Sequence, residues 1–143
     1  MRWVGGILMP RNSLYDVSLR QNEMEFDWTQ GALAEGLQQY QSGQFFAAHE
    51  SWESVWLVAA EPEKLFLQGL IQVTAAFHHL QRGNLLGTAR LLEGALRRLD
   101  RYPASFGAIA VDLLRDDIRA WLEALESGAA HADLGCPRIK TNL

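Results

Sequence analysis

Apolar residues recur at helical spacing over most of the chain, from about residue 27 to residue 128. Side chains at positions i, i+3, i+4 and i+7 share one face of a helix, so this spacing predicts amphipathic helices. Five such segments follow one another. Their main apolar positions are Leu33, Leu37 and Tyr40; Phe45, Trp52 and Trp56; Phe66, Leu70 and Phe77; Leu92, Leu96 and Leu99; and Leu114, Ile118 and Trp121.

Capping residues, glycines and prolines mark the ends of these segments. Asp27 and Gln30 resemble a capping box that opens the first helix, and Gly43 ends that helix by taking the left-handed conformation. Asn84 is the candidate N-cap of the fourth helix and Asp112 that of the fifth. The predicted helices lie between Asp27 and Gly43, Gln44 and Val58, Pro62 and Arg82, Asn84 and Tyr102, and Asp112 and Gly128.

The connections between the predicted helices are short, which indicates antiparallel neighbours. No Asn-Gly or Asp-Gly pair stands between alternating apolar runs, so we expect no β-hairpin. A weak repeat with an offset of 40 residues aligns residues 40–46 with residues 80–86, and the run 43–48 resembles the turn of a tetratricopeptide hairpin. The sequence therefore predicts an all-α protein, a compact antiparallel bundle of about five helices built from two helical hairpins.

Composition narrows the class of protein. The chain has 143 residues, of which 48% are hydrophobic and 21% charged, as expected for one globular domain. We assign residues 1–26 to an N-terminal arm that is disordered or an over-long start, 27–128 to the bundle and 129–143 to a tail. No apolar run is long enough to span a membrane, and a lone cysteine, Cys136, suits a reducing compartment, so we expect a cytoplasmic protein.

The second predicted helix carries the most unusual side chains, in the run His49-Glu50-Ser51-Trp52-Glu53-Ser54-Val55-Trp56. At 100° per residue, one face of this helix combines His49 and Glu53 with three aromatic residues. We expect that face to point into the bundle, because the aromatic rings have the most area to bury there. This orientation takes His49 and Glu53 inward and leaves Glu50 at the boundary.

The third predicted helix supplies the second half of this cluster. Apolar residues wrap most of its circumference, so it is predicted to be the central helix, and its remaining stripe contains two glutamines, two alanines and His79. Buried amides and imidazoles need hydrogen-bond partners, which the antiparallel second helix offers. The sequence therefore predicts a buried polar cluster bordered by Trp52 and Trp56. Its members are His49, Glu53, Gln68, Gln72 and His79.

Three roles remain open for this cluster. The first is a self-satisfied hydrogen-bond network that fixes the packing of two helices. The second is a small-molecule or catalytic pocket with Glu53 as general base beside His49. Its candidate ligand-binding residues are Trp52, Trp56, Gln68, Gln72, His79 and Glu50. The third is a divalent metal site held by His49, Glu53 and His79, although Glu53 stands where the zinc-protease motif has its second histidine.

Four motifs of the chain resemble the bacterial and archaeal family called domain of unknown function 309. They are His49-Glu50-x-Trp52-Glu53-x-x-Trp56, Phe66-x-Gln68-Gly69-Leu70-Ile71-Gln72, His79 and Gly83-Asn84-x-x-Gly87. The resemblance covers about residues 30–127 and implies a small all-α protein. It brings no established activity, so no catalytic role is carried over from it.

Two functional hypotheses follow. In the first, the pocket between helices two and three binds a small ligand or a metal and catalyses proton transfer or hydrolysis. In the second, the chain is a non-enzymatic interaction module whose polar cluster is structural and whose outer face binds a protein. Arg90, Arg97 and Arg101 align on the outside of the fourth helix, but the formal charge of −4 argues against a nucleic-acid partner. An apolar N-terminal arm leaves homodimerisation open.

Overall fold

A computed structural model describes the backbone of residues 3–4 and 7–8, and residues 26–128 and 133–142 in full. Within these ranges the chain forms five α-helices and two small β-hairpins. The helices are α1 (Gly31–Gln41), α2 (Phe45–Trp56), α3 (Glu63–Gln81), α4 (Leu85–Leu99) and α5 (Val111–Ser127). The prediction of an all-α fold with about five helices is confirmed.

Each helix packs mainly against its neighbours in sequence, in the order α1, α2, α3, α4, α5. The central helix is α3, whose inner side is covered by aromatic residues from other parts of the chain. Phe77 contacts Phe45 of α2 and Trp121 of α5, with ring centroids 5.7 and 5.0 Å apart. Phe66 contacts Tyr102 in the connection after α4. The core therefore lies on one side of the row formed by α2, α3 and α4.

The repeat predicted from the sequence appears as two equivalent helix–helix turns. Gly43 after α1 and Gly83 after α3 take positive φ angles of 80° and 78°, which an L side chain would strain. In both turns the next residue donates its backbone N–H to a carbonyl five residues earlier. The side chains differ, because Asn84 caps α4 by accepting from Gly87 N at 2.9 Å, whereas Gln44 makes no cap bond to α2.

The start of α1 differs from the prediction. The helix begins at Gly31, not near Asp27, and its N-cap Gln30 makes no side-chain cap bond. Asp27 instead accepts a hydrogen bond from the backbone N–H of Thr29 and another from Gln30 Nε2, which closes a local turn ahead of the helix. The predicted capping box does not form: Gln30 contacts the Asp27 side chain, not its backbone N–H, and both residues lie ahead of the helix. At α5 the N-cap is Ala110, and Asp112 lies in the first turn.

The expectation that no β-hairpin forms is wrong. Strand β1 (Trp3–Val4) pairs antiparallel with β2 (Ile7–Leu8), and β3 (Ser105–Phe106) pairs antiparallel with β4 (Ile109–Ala110). Gly107 and Ala108 join β3 to β4 with φ angles of 56° and 63°. Both central residues have positive φ, as in the tight turns of β-hairpins, and a Gly-Ala pair gives a weak sequence signal for such a turn.

The described part of the C-terminal tail, residues 133–142, lies along the bundle. Trp121 Nε1 donates to Gly135 O at 2.9 Å, and Tyr40 of α1 donates its hydroxyl to Pro137 O at 2.7 Å. Thr141 forms an isolated β-bridge with Ile109 of β4. The tail therefore contacts both the first and the last helix. Most of the predicted arm over residues 1–26, and the tail residues 129–132 and 143, lie outside the described residues.

Candidate functional site

Trp52, predicted to border the polar cluster, lies in the core. Its side chain is fully buried, its indole Nε1 donates to Leu33 O of α1 at 3.1 Å, and its ring contacts Trp28 edge to face. Gly36 of α1 lies directly beneath the indole. Trp52 therefore joins α1 to α2 and leaves no accessible surface for a ligand.

Glu53 lies on the outside of α2, so the expectation that it points inward is wrong. The buried positions of α2 are Phe45, Ala48 and Trp52, which place the centre of the inner face about 100° or more from Glu53. Glu53 is exposed, as is Glu50. Trp52 and Trp56 were expected to bring the side of α2 that carries Glu53 into the core. The helix instead buries the side that carries Ala48.

Gln72 and His79 turn toward α4 rather than toward α2. Gln72 Oε1 accepts a hydrogen bond from Arg98 Nη1 at 3.2 Å, and the amide of Gln72 lies over Gly94. His79 Nδ1 lies 3.0 Å from Asn84 Nδ2. Because Asn84 Oδ1 accepts from Gly87 N, its Nδ2 must be the donor, and His79 Nδ1 is the acceptor. The predicted cluster is therefore divided: Gln72 contacts Arg98 of α4, and His79 contacts Asn84, the N-cap residue of α4.

His49 and Trp56 remain on the side of α2 that borders α3, and both are partly exposed. The His49 ring lies parallel to Phe46, which also contacts His78 of α3, and Lys64 of α3 lies 4.3 Å from the ring centroid of Trp56. The ring nitrogens His49 Nδ1 and Trp56 Nε1 are buried and have no hydrogen-bond partner. The same holds for Nε of Arg98 on α4. A covered polar nitrogen without a partner costs about 1–3 kcal/mol of stability.

The metal alternative finds no support in the described residues. Nowhere in residues 26–128 and 133–142 do three His, Cys, Asp or Glu side chains come together in a group that could hold a metal ion. An open depression of about 560 Å³ lies elsewhere, between Tyr40 and the tail residues 136–141. No helix in the described part of the chain is long and apolar enough to cross a membrane.

The positions of the candidate residues define a surface that we call the front face. It is the side of the α2–α3–α4 row that points away from the core. Contacts of α3 with α2 run through Lys64 and His78, and those with α4 run through Gln72 and Ala76. Gln68, Ala75 and His79 lie between these two lines on the helix and are partly exposed. They form the middle of the front face.

Two exposed ridges border this middle strip. They occupy equivalent positions of α2 and α4, at the offset of 40 residues given by the repeat, and all their side chains are exposed. The α2 ridge is Phe46, Glu50, Glu53 and Leu57. The α4 ridge is Leu86, Arg90, Glu93 and Arg97.

The ridges carry exposed apolar side chains and opposite charges. Phe46, Leu57 and Leu86 are 55%, 64% and 62% exposed. Glu50 and Glu53 make the α2 ridge acidic, whereas on the α4 ridge Arg90 and Arg97 outnumber Glu93. We find no ion pair between these charges and any other described residue. The arginines were predicted to lie on the outside of this helix. The repeat aligns Phe46 with Leu86, but the exposure of these two side chains was not predicted.

Comparison with known proteins finds a family model that matches part of this chain. The model of "Domain of unknown function (DUF309)" matches residues 33–91, which run from α1 into α4. An "Uncharacterized protein" of Aquifex aeolicus (strain VF5) is 34% identical over 92 residues, which are 64% of this chain and 26% of that protein. The chain thus spans about a quarter of the length of this curated relative. The family resemblance predicted from the motifs is confirmed, and neither description assigns an activity.

Proposed function

We propose that this chain, whose residues 33–91 match the model of the DUF309 family, is a non-enzymatic helical interaction module that binds protein through its front face. The observation that carries the proposal is the exposure of three large apolar side chains on the two ridges, Phe46, Leu57 and Leu86. Exposed apolar groups bordered by charges are typical of protein-binding surfaces. This is the second of the two hypotheses drawn from the sequence.

The internal contacts of the motif residues support a structural role for part of the predicted cluster. Trp52 holds α1 to α2, Gln72 contacts Arg98, and His79 contacts Asn84. Each of these side chains already has a partner within the chain. The remaining candidates, His49, Glu50, Glu53, Trp56 and Gln68, lie at or near the surface and enter the proposal as residues of the binding face.

A catalytic role for Glu53 has less support. General bases act best in sites that exclude water, and Glu53 is exposed on α2. A small ligand is the second candidate: Nδ1 of His49 and the N–H of Trp56 have no partner within the chain, and the Trp56 N–H can donate to a ligand. Of these two nitrogens only that of His49 has the chemistry to bind a divalent metal. Thermal unfolding of tag-free protein with and without zinc, manganese or iron(II) tests the metal: a rise in Tm that is lost in His49→Ala would favour it over the interaction module.

Site-specific photo-crosslinking tests the interaction module. A benzophenone amino acid replaces Ala75 at the middle of the front face, and in a control variant it replaces the exposed Ala120 on α5. We expect a polypeptide to be captured at position 75 and not at position 120. The captured species is identified by mass spectrometry and its binding is repeated with pure components.

A second variant links the capture to the ridges. Phe46→Ser removes an exposed ring from the α2 ridge without removing a core side chain. We expect it to lower capture at position 75 while Tm stays close to that of the parent. No captured polypeptide at position 75, or equal capture at positions 75 and 120, would reject the interaction module.

A further inference from the structure

The end of α3 and the start of α4 are joined by a short chain of hydrogen bonds. We propose that these bonds form a pH-sensitive switch, in which protonation of His79 withdraws the side chain of Asn84 from the backbone of Gly87 and so removes the cap of α4. This role goes beyond the interaction module, because it concerns the protein without any partner.

Asn84 serves two neighbours with one amide group. Its Oδ1 accepts from Gly87 N at 2.9 Å, which caps α4, and its Nδ2 lies 3.0 Å from His79 Nδ1. An amide nitrogen can only donate, so His79 Nδ1 must accept, and the hydrogen of the neutral ring lies on Nε2. The cap of α4 therefore forms beside a neutral His79.

Two glycines position the amide of Asn84. A β-carbon on Gly87 would lie 2.5 Å from Asn84 Nδ2 and 2.9 Å from its Cγ, so glycine leaves the space that the amide occupies. Gly83 takes a φ angle of 78°, which turns the chain sharply between α3 and α4. The motif residues His79, Gly83, Asn84 and Gly87 thus form one structural unit.

Protonation of His79 is incompatible with this arrangement. An imidazolium carries a hydrogen on each ring nitrogen and has no acceptor, so its Nδ1–H would face the Nδ2–H groups of Asn84. A half-turn of the Asn84 amide would offer Oδ1 to His79 instead, but it would bring Nδ2 against the backbone N–H of Gly87. Asn84 can therefore satisfy the protonated His79 or Gly87, and not both.

The protonated imidazole is the stronger competitor for Asn84 Oδ1. A hydrogen bond from a charged donor is roughly twice as strong as one between neutral groups. The helix dipoles do not decide the outcome, since the charge of His79 is favourable at the C-terminal end of α3 and unfavourable at the N-terminal end of α4. Gly87 N therefore loses its acceptor, and the first turn of α4 loosens.

The switch works in the range in which imidazole ordinarily takes up a proton, about pH 8 to pH 5. The turn that it loosens contains Leu86, the first residue of the α4 ridge, which is 62% exposed. Acidification is therefore expected to loosen the backbone at one edge of the front face.

Other charged or titratable groups lie near this end of the bundle on all three helices. They are His78 on α3 and Arg82 at its C-cap, His49 and Glu50 on α2, and Arg90 on α4. The ring of His78 lies 6.3 Å from that of His79 and contacts Phe46 of α2. No carboxylate in residues 26–128 and 133–142 forms an ion pair with His79, so Asn84 is left to respond to its charge.

Nuclear magnetic resonance of the isotope-labelled full chain tests the switch between about pH 8 and pH 5. The ring nitrogens of His79 report its protonation and tautomer, and we expect the neutral ring to carry its hydrogen on Nε2. As His79 takes up a proton, the Gly87 amide resonance should shift with the same midpoint. Its protection from hydrogen exchange, corrected for the intrinsic effect of pH, should fall about fivefold, as expected for loss of a cap bond.

Asn84→Asp is the variant that separates the cap from the charge of His79. Both oxygens of a carboxylate accept, so one can bind Gly87 N while the other binds the Nδ1–H of His79. We expect Gly87 to stay protected down to about pH 5 in this variant, and His79 to take up its proton at a higher pH than in the parent. His78→Gln is the matched control, since it removes the neighbouring imidazole and should leave the response of Gly87 unchanged.

The switch is overturned by a Gly87 amide that does not follow the titration of His79, by a neutral His79 with its hydrogen on Nδ1, or by a response that persists in Asn84→Asp. A response that disappears in His78→Gln would belong to the other imidazole and would overturn it as well. Circular dichroism at both ends of the pH range confirms that each variant is folded. None of these measurements includes a binding partner, so their outcome does not depend on the interaction module.

Discussion

The indole of Trp52 and the backbone of Gly36 touch where α1 crosses α2. A β-carbon on Gly36 would lie 2.3 Å from Trp52 Nε1, well inside van der Waals contact. Trp52 is fully buried and its Nε1 is bonded to Leu33 O, so the ring has no free direction in which to move. Trp52 thus requires a glycine at position 36 of the preceding helix.

The first prediction concerns this contact. Gly36→Ala is expected to destabilise the fold by about 1–3 kcal/mol, because the added methyl forces the two helices apart. Gly94→Ala is the matched control: its β-carbon would lie 2.9 Å from the amide of Gln72, a flexible partly exposed side chain that can turn aside. In the control, the higher helix propensity of alanine offsets the contact. Urea unfolding of both variants checks the difference, and equal losses would contradict it.

The two tryptophans of the motif are expected to respond differently to the same change. Trp52→Phe removes the hydrogen bond to Leu33 and leaves a gap in the core, so it should cost about 2 kcal/mol. Trp56→Phe removes an indole N–H that has no partner, so its free energy of unfolding should stay within about 1 kcal/mol of the parent. Chemical denaturation measures both. A larger loss at Trp56 would mean that its N–H is paired in solution.

The turns before α2 and α4 provide a matched pair of caps. Asn84→Ala removes the acceptor for Gly87 N and the donor to His79, so we expect a loss of about 1 kcal/mol. Gln44→Ala changes the equivalent N-cap of α2, which makes no side-chain cap bond, and should have little effect. Thermal unfolding of the two variants compares them. A loss at Gln44 as large as that at Asn84 would show that the cap bond is not the cause.

Docking of the tail is expected to depend on pH through Asp117 on α5. Hydrogen bonds from the Arg138 side chain, together with its backbone N–H and positive charge, lower the pKa of Asp117 below its ordinary value. A folded-state pKa below that of the unfolded chain stabilises the fold fully above about pH 4, and this contribution is lost as pH falls through the folded-state pKa.

Comparison of the parent with Asp117→Asn measures that contribution. The difference in Tm between them should be greatest near about pH 6 and should shrink as the pH falls through the lowered folded-state pKa of Asp117, below which both chains are uncharged at this position. Asp133→Asn, at an exposed position in the tail, is the control and should show no such trend. A Tm difference that stays constant over this range would exclude the ion pair as its source.

Sequence periodicity was enough to predict the helical part of the fold. The repeat at Gly43 and Gly83 and the cap at Asn84 are local features, so short windows of sequence reveal them. The β3–β4 hairpin was missed because its turn uses Gly107 and Ala108, and Ala108 takes its positive φ within the surrounding structure. The start of α1 was misplaced because an aspartate turn and a helix cap use the same side chains.

The candidate site was harder to predict because residues on either side of Trp52 on the helix surface could have faced the core. Periodicity places His49, Glu53 and Trp56 near one another, but it does not show which side of Trp52 points to the core. The small residue Ala48 decided that orientation and moved Glu53 outward. Likewise the stripe on α3 could face α2 or α4, and Gly94 made room for Gln72 on the α4 side.

The hydroxyl of Tyr40 reaches a carbonyl 97 positions further along the chain, at Pro137. Helices that pack mainly against their sequence neighbours form an open stack, in which a terminal helix can unfold while the rest stays folded. The tail residues 133–142 contact both α5 and α1 and so link the last helix of this stack to the first. Thermal unfolding should therefore be a single cooperative transition, with amide exchange in α1 as slow as in α5. Removal of the tail residues 133–142 should let α1 unfold before the other helices.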